Sequence, residues 1–218
     1  MKHLLNTRLA TLLTLLLIAI MPAPAHATTT LQSATELAEA ERIAKQSYNF
    51  IIYTNSVYGQ PVEDSEKLAK LNRINKEVDR LRNAYALNLP RVNKLHMVSR
   101  SRGMYNPVRD EIVFSMRNVE HTIRHEFGHV IDIKMGVNNR EWKSLVKTMI
   151  DTRNYAPSEY AKNNEAEYWA ESFAYFTSPE YGKSIKPFPA ELEAHIMAVL
   201  AKISDNQNAT RMLANRGR

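Results

Sequence analysis

The 218-residue chain contains no cysteine. This excludes disulfides, thiol catalysis and a lipid-anchored cysteine behind a leader. It contains no apolar run long enough to cross a bilayer. The longest, Leu9 to Ile20, is a dozen residues, whereas about 30 Å of hydrocarbon needs roughly 20. It has no block of like charge, no internal repeat, no low-complexity linker and no nucleic-acid motif. The net charge of +6 comes from scattered Lys and Arg; it favours anionic surroundings without naming a partner.

What is present begins with a leader. Lys2 and Arg8 precede the apolar run, and "APAHA" sets Ala25 and Ala27 at the small positions of a cleavage site. The reading is a signal peptide over 1–27 and an exported chain, periplasmic or secreted, starting at Thr28. Lys2 and Arg8 leave with the leader, so 27 basic residues face 23 acidic ones and the remaining charge is +4. Without disulfides the exported part must be held by its core, with any bound metal as a helper. Residues 28–218 read as one domain, enough for a sizeable core.

Apolar residues recur at helical spacing from about Ser33 to Asn55 and again from Val62 to Tyr85. The period then changes. Val92 to Ser99 and Arg109 to Met116 read as short strands, a connected pair or hairpin, with Gly103 to Pro107 as a loop between them. Helical periodicity returns from Asn118 to Gly136, a glycine placed for a C-cap. Three more helices follow: "REWKSLVKTMI", "EAEYWAESFAYF" and about Ala190 to Ile203, the last behind Pro187 and Pro189. The tail after about 204 reads as frayed. The class is α+β: N-terminal helices and a small sheet to about 136, then a helical C-terminal part.

The chemistry is concentrated in "HTIRHEFGHVID", His121 to Asp132. His125 and His129 are four apart, so a helix stacks both rings on one face. Two neutral imidazoles there can hold Zn²⁺ at about 2.0–2.1 Å. Glu126 can accept a proton from a zinc-bound water, whose pKa the metal lowers to about 7. This is the H-E-x-x-H pattern. Uncharged Phe127 and Gly128 in its middle argue for a buried helix rather than a solvated one.

Two histidines need a third protein ligand. A histidine six residues beyond His129 is missing, since Met135 stands there. "NNEAEYWAESF" offers glutamates instead. Glu167 and Glu171 share a helix face, whereas Glu165 lies about 160° around from Glu167 and suits the helix N-terminus. Glu167 is the preferred ligand. Asp132 could orient a histidine or cap a neighbouring element. His121 reads as partly solvated, and His96 and His195 as structural.

At these residues the chain resembles the zincin metallopeptidases of the anthrax lethal factor catalytic domain and the secreted Pro-Pro endopeptidases. The resemblance is carried by "IRHEFGHVID" and by "SEYAKNNEAEYWAESF", and it covers about Arg102 to Phe176. It implies a zincin-like fold, mostly helical with a small sheet beside the active-site helix, and one zinc per chain. It implies His125, His129 and Glu167 as zinc ligands, Glu126 as general base, Tyr160 facing the metal as an oxyanion donor, and Glu171 behind the ligands. Tyr155 competes with Tyr160 if the loop is registered differently. The expected activity is peptide-bond hydrolysis of a peptide or protein substrate, with cleavage between prolines as one branch of the family. The substrate is expected to add as a strand to a sheet edge at Glu111 to Ser115, under a flap formed by Gly103 to Pro107. The rival readings are a non-catalytic zinc- or peptide-binding module and an effector toxin protease acting on a host protein.

Overall fold

The computed structural model describes residues 33–47, 52–54, 62–87, 89–98, 103–114 and 117–216. The leader expected over 1–27 lies outside the described residues. The chain is α+β. Its helices are α1 (Leu37–Ser47), α2 (Asp64–Tyr85), α3 (Val119–Met135), α4 (Arg140–Asp151), α5 (Glu165–Phe176) and α6 (Ala190–Arg216). Its strands are β1 (Ile52–Thr54), β2 (Lys94–Met97), β3 (Met104–Asn106) and β4 (Glu111–Phe114), in the order β1-β2-β4-β3. The first three in that order run parallel, and β3 pairs antiparallel with β4.

Three sequence expectations are corrected. The helix expected over Ser33 to Asn55 stops at Ser47, and Ile52–Thr54 is a strand paired with β2. Ile-Tyr-Thr is β-branched and aromatic, a composition that suits a pleated surface better than a helix turn. Of the two readings of the expected strands the connected pair holds and the hairpin does not: they lie side by side in parallel. The hairpin is β3–β4, and β3 lies inside the segment read as a flap. The sheet edge is therefore β3, while β4 is an interior strand. Asn106 explains the tight return: its side-chain oxygen accepts the backbone N–H groups of Val108 and Arg109 at 3.1 and 3.2 Å, an Asx turn. The tail expected to fray continues α6 to Arg216. No Pro or Gly interrupts it before Gly217, and Ala, Arg, Met and Leu are good helix formers.

α3 and α5 form the centre of the molecule. Gly128 sits where they cross: a Cβ added there would lie 2.8 Å from the Ala170 Cα. The Trp169 indole N–H donates to the Gly128 carbonyl at 2.9 Å, so the close approach is also hydrogen-bonded. Phe127, Trp169 and Phe173 are fully buried around it, with Trp142 of α4 against Trp169. Behind them a buried ion pair ties in α2. Arg124 donates to Glu77 at 2.6 Å and to the Ala174 carbonyl at 2.7 Å, and Arg80 also pairs with Glu77. Two guanidiniums thus share one carboxylate, and each also donates to a backbone carbonyl, so no buried charge is left without a partner. Gly136 ends α3 in the left-handed region, at φ 66°.

At an open helical position alanine would stabilise relative to glycine by about 1 kcal/mol. At Gly128 the backbone clash should reverse that sign. Gly128→Ala is expected to cost about 1–3 kcal/mol, the usual penalty of overpacking, and Gly128→Val more. Urea denaturation midpoints measure this; a raised midpoint for Gly128→Ala would contradict the close crossing.

Candidate metal centre

Two helix starts set the register of the site. Asn118 precedes α3 in the left-handed region, at φ 44°. Asn164 caps α5, its side-chain oxygen accepting the N–H groups of Ala166 and Glu167 at 3.0 and 2.9 Å. That cap fixes Glu167 in the first turn of α5, facing α3 across the Gly128–Ala170 contact.

His125, His129 and Glu167 converge. Their nearest atoms form a triangle: His125 Nε2 to His129 Nε2 3.1 Å, His125 Nε2 to Glu167 Oε2 3.2 Å, and His129 Nε2 to Glu167 Oε2 3.3 Å. Ligands at about 2.0–2.1 Å around a tetrahedral ion are separated by about 3.3 Å. The triangle has the size of one tetrahedral face. Glu167 Oε2 is buried yet makes no well-aligned hydrogen bond to either ring. A carboxylate oxygen left so beside two ring nitrogens fits a shared cation better than a hydrogen-bonded pair. Burial opposes charge on His125, but the carboxylates of Glu167 and Glu171 beside it prevail and raise it to about 9. Burial likewise pushes Glu167 up, and His125 and His129 outweigh it, bringing it to about 2. Both shifts describe a pocket that favours positive charge, in which protons would compete with any bound cation.

Glu171 stands behind His125. Its carboxylate takes His125 Nδ1 at 2.7 Å, His121 Nε2 at 3.0 Å and the Ser158 hydroxyl at 2.6 Å. Its pKa is held well below the usual carboxylate range: burial works the other way, but these three hydrogen bonds prevail. By accepting the Nδ1–H hydrogen bond it keeps that proton on Nδ1, so that a metal displacing the other proton would meet the Nε2 lone pair, turned to the cluster. His121 and Ser158 are the residues that sequence reasoning missed. His121 does have partial solvent access, with 29% of its side chain exposed, but it is a hydrogen-bonded member of the group. The signal was its spacing, since His121 lies one turn before His125 and so on the same face. Ser158 gave none, because it reaches Glu171 through a loop.

Glu126 is 2% exposed. Burial raises its carboxyl to about 7, with the nearby His125 and His129 pulling in the opposite direction. The Tyr105 backbone N–H bonds to this carboxylate, and Oε2 has no hydrogen-bond partner among the described residues. Gly103 packs on it so closely that any Cβ there would collide with Glu126 Oε1. Edge strand β3 therefore lies directly over the Glu126 side of α3.

Tyr160 opens a short 3-10 turn, Tyr160–Asn163, and its ring lies 5.9 Å from that of His125, at the cleft mouth and 48% exposed. Tyr155 instead packs against Phe188, away from the cluster, with its carbonyl accepting the Tyr168 hydroxyl. Asp132 accepts the Asn138 N–H at 2.6 Å and so closes the turn after α3. Glu165 starts α5, and its carbonyl accepts the Trp142 indole N–H. His96 is buried beside Glu111, and His195 stacks on Trp142.

A cleft crosses the cluster. On one side of it lies a hollow of about 450 Å³ bordered by Arg117, Asn118, His121 and Thr122; on the other lies one of about 300 Å³ bordered by Met104, Pro107, Ile133 and Ala166. Gly103, His125, Glu126 and Tyr160 border both. The chain matches no protein-family model and no curated protein sequence, so the resemblance of its two motifs stands on those residues alone.

Proposed function

We propose that the chain is an exported zinc-dependent endopeptidase with a zincin-like fold. The observation that carries this is the triangle of His125, His129 and Glu167 with the unpartnered Glu126 carboxylate oxygen beside it. Bound zinc would supply a Lewis acid for the scissile carbonyl and a water whose pKa falls to about 7.

The chain's own residues do the rest. Glu126, raised to about 7 by burial, takes a proton at Oε2 near neutral pH and returns it to the leaving amine. The Tyr160 hydroxyl, at the cleft mouth, donates to the oxygen that becomes negative as the carbonyl is attacked. Glu171 keeps the His125 tautomer and ring direction fixed. The outer edge of β3 offers backbone groups to an extended peptide. A purely structural zinc site would be closed by a fourth protein ligand and would need no base, and burying Glu126 with an oxygen unpaired among the described residues would then be a cost without return. Export rests on the N-terminal pattern of residues 1–27, and N-terminal sequencing of the mature protein should begin at Thr28.

Zinc stoichiometry tests the ligands. The purified chain should carry about one zinc, and zinc titrations should rank three variants. Glu167→Ala loses binding most, Glu171→Ala weakens it about 10–100-fold through the orientation of His125, and Glu165→Ala changes little. Intact binding in Glu167→Ala with none in Glu171→Ala would shift the site to the His121 side.

Activity tests the base and the metal. Chelation should abolish cleavage of a casein or peptide-library substrate, and zinc should restore it. Glu126→Gln should keep zinc and its thermal unfolding temperature but lose about 10²–10⁴-fold in rate. Wild-type turnover in Glu126→Gln would return the chain to the binding-module reading.

A further inference from the structure

The two hollows beside the cluster differ in chemistry, and edge strand β3 gives the cleft a direction. Gly103 borders both hollows, whereas Met104, Tyr105 and Pro107 border only the smaller. The strand thus runs from the Arg117–His121 side towards the Ile133 side. The Tyr105 N–H is turned to Glu126, away from β4, so the outer edge of β3 faces the cleft. A peptide added there antiparallel, the more stable ladder, runs opposite to β3. Its residues N-terminal to the cluster then lie in the Ile133 hollow and its C-terminal residues in the Arg117 hollow.

The Ile133 hollow carries exposed apolar side chains beside the ionisable residues of the cluster. Ile133 is 58% exposed and Met104 43%, two of the seven large apolar residues exposed among those described, while Tyr160 borders both hollows. Solvent contact with apolar groups gathered in one cleft marks a binding surface. Away from the His–Glu cluster itself, its main charged neighbour, Asp132, is engaged with the Asn138 N–H and 5% exposed. The opposite hollow is rimmed by polar groups: Arg117, Asn118, His121 and Thr122.

We infer that the Ile133–Met104 hollow is a specificity subsite for a large apolar side chain on the N-terminal side of the bond to be cut. This rests on the peptidase reading and deepens it: the substrate class is a peptide with an aliphatic or aromatic residue one or two positions before the scissile bond. Ile133 is the determining residue. It projects from α3 one turn beyond His129 and takes no part in the cluster.

Two measurements test this. In the first, the zinc-loaded chain digests a peptide library and the cut sites are read by mass spectrometry. The expected preference is about tenfold for apolar over charged residues on the N-terminal side, within the range one apolar pocket provides. Ile133→Lys should lose it and Ile133→Leu should keep it; because Ile133 is exposed, both variants should fold. In the second, Glu126→Gln binds two fluorescent alanine-rich peptides that differ only in carrying a Leu pair or an Asp pair. The Leu peptide should bind about tenfold tighter, and adding Ile133→Lys should erase the difference. Cleavage with no apolar preference, with the preference on the C-terminal side, or with one unchanged by Ile133→Lys overturns the subsite and leaves the peptidase standing. Absence of cleavage together with Leu-selective binding that Ile133→Lys removes keeps the subsite and overturns the peptidase. Neither cleavage nor selective binding overturns both.

Discussion

Where α3 crosses α5, Gly128 has only a hydrogen to offer, and the backbone of Ala170 moves into the space a Cβ would fill. The cluster depends on this approach. His125 and His129 flank Gly128 on one helix; Glu167 and Glu171 flank Ala170 on the other. Carboxylate side chains are short, and the nitrogen–oxygen distances of 2.7–3.3 Å between the pairs leave no slack. The Trp169–Gly128 hydrogen bond and the aromatic packing around it hold the separation, and the Arg124–Glu77 pair locks the far side of α3 to α2. Side chains with no part in the chemistry thus set the geometry of those that carry it.

The same crossing gathers an unusual charge distribution. Glu126, Glu167 and Glu171 lie together with three histidines, and the buried Arg124 is already matched by Glu77 on another face. Three carboxylates in a low-dielectric pocket repel one another, and burial pushes each toward its neutral form. The chain resolves this unequally. Glu171 and Glu167 stay acidic because ring nitrogens lie within hydrogen-bonding reach of them, while at Glu126 burial outweighs the pull of His125 and His129 and raises it to about 7. Acids of one type, a few residues apart, are thereby separated into holders of positive charge and a group able to exchange a proton near neutrality.

How much of this was legible follows from its range in the chain. Spacing alone put His125 and His129 on one face, and helical geometry separated Glu165 from Glu167, because both are facts of a single helix. That α3 and α5 should meet followed from the need for a third ligand, but not the distance at which they meet, which Gly128 sets. The Ser158 contact and the Arg124–Glu77 pair span 13 and 47 residues, and nothing local announces either. Ile52–Thr54 was misread because a three-residue strand is shorter than the period that would distinguish it from a helix, and its parallel partner lies far along the chain, Ile52 pairing with Lys94. β3 was hidden for the same reason: Met-Tyr-Asn beside a turn signal reads as loop until β4 pairs with it.

The placement of β3 changes the logic of the cleft. A mobile flap could close over a substrate but could not serve as its template. An edge strand anchored by the Asx turn at Asn106 and by the Tyr105 N–H to Glu126 is already in place. Free strand edges invite pairing with other chains, and very short ones limit that hazard. Three residues offer a few backbone groups, enough to align an extended peptide but too few to select one. Selection then has to come from side chains at the two ends of the strand, where the Ile133 and Arg117 hollows lie. Because the same strand packs on the buried base through Gly103, displacement of β3 would disturb Glu126 as well. The position of the peptide and the environment of the proton acceptor are therefore set by one short element, which leaves little freedom for substitution at Gly103 and more at Met104, whose side chain faces the cleft.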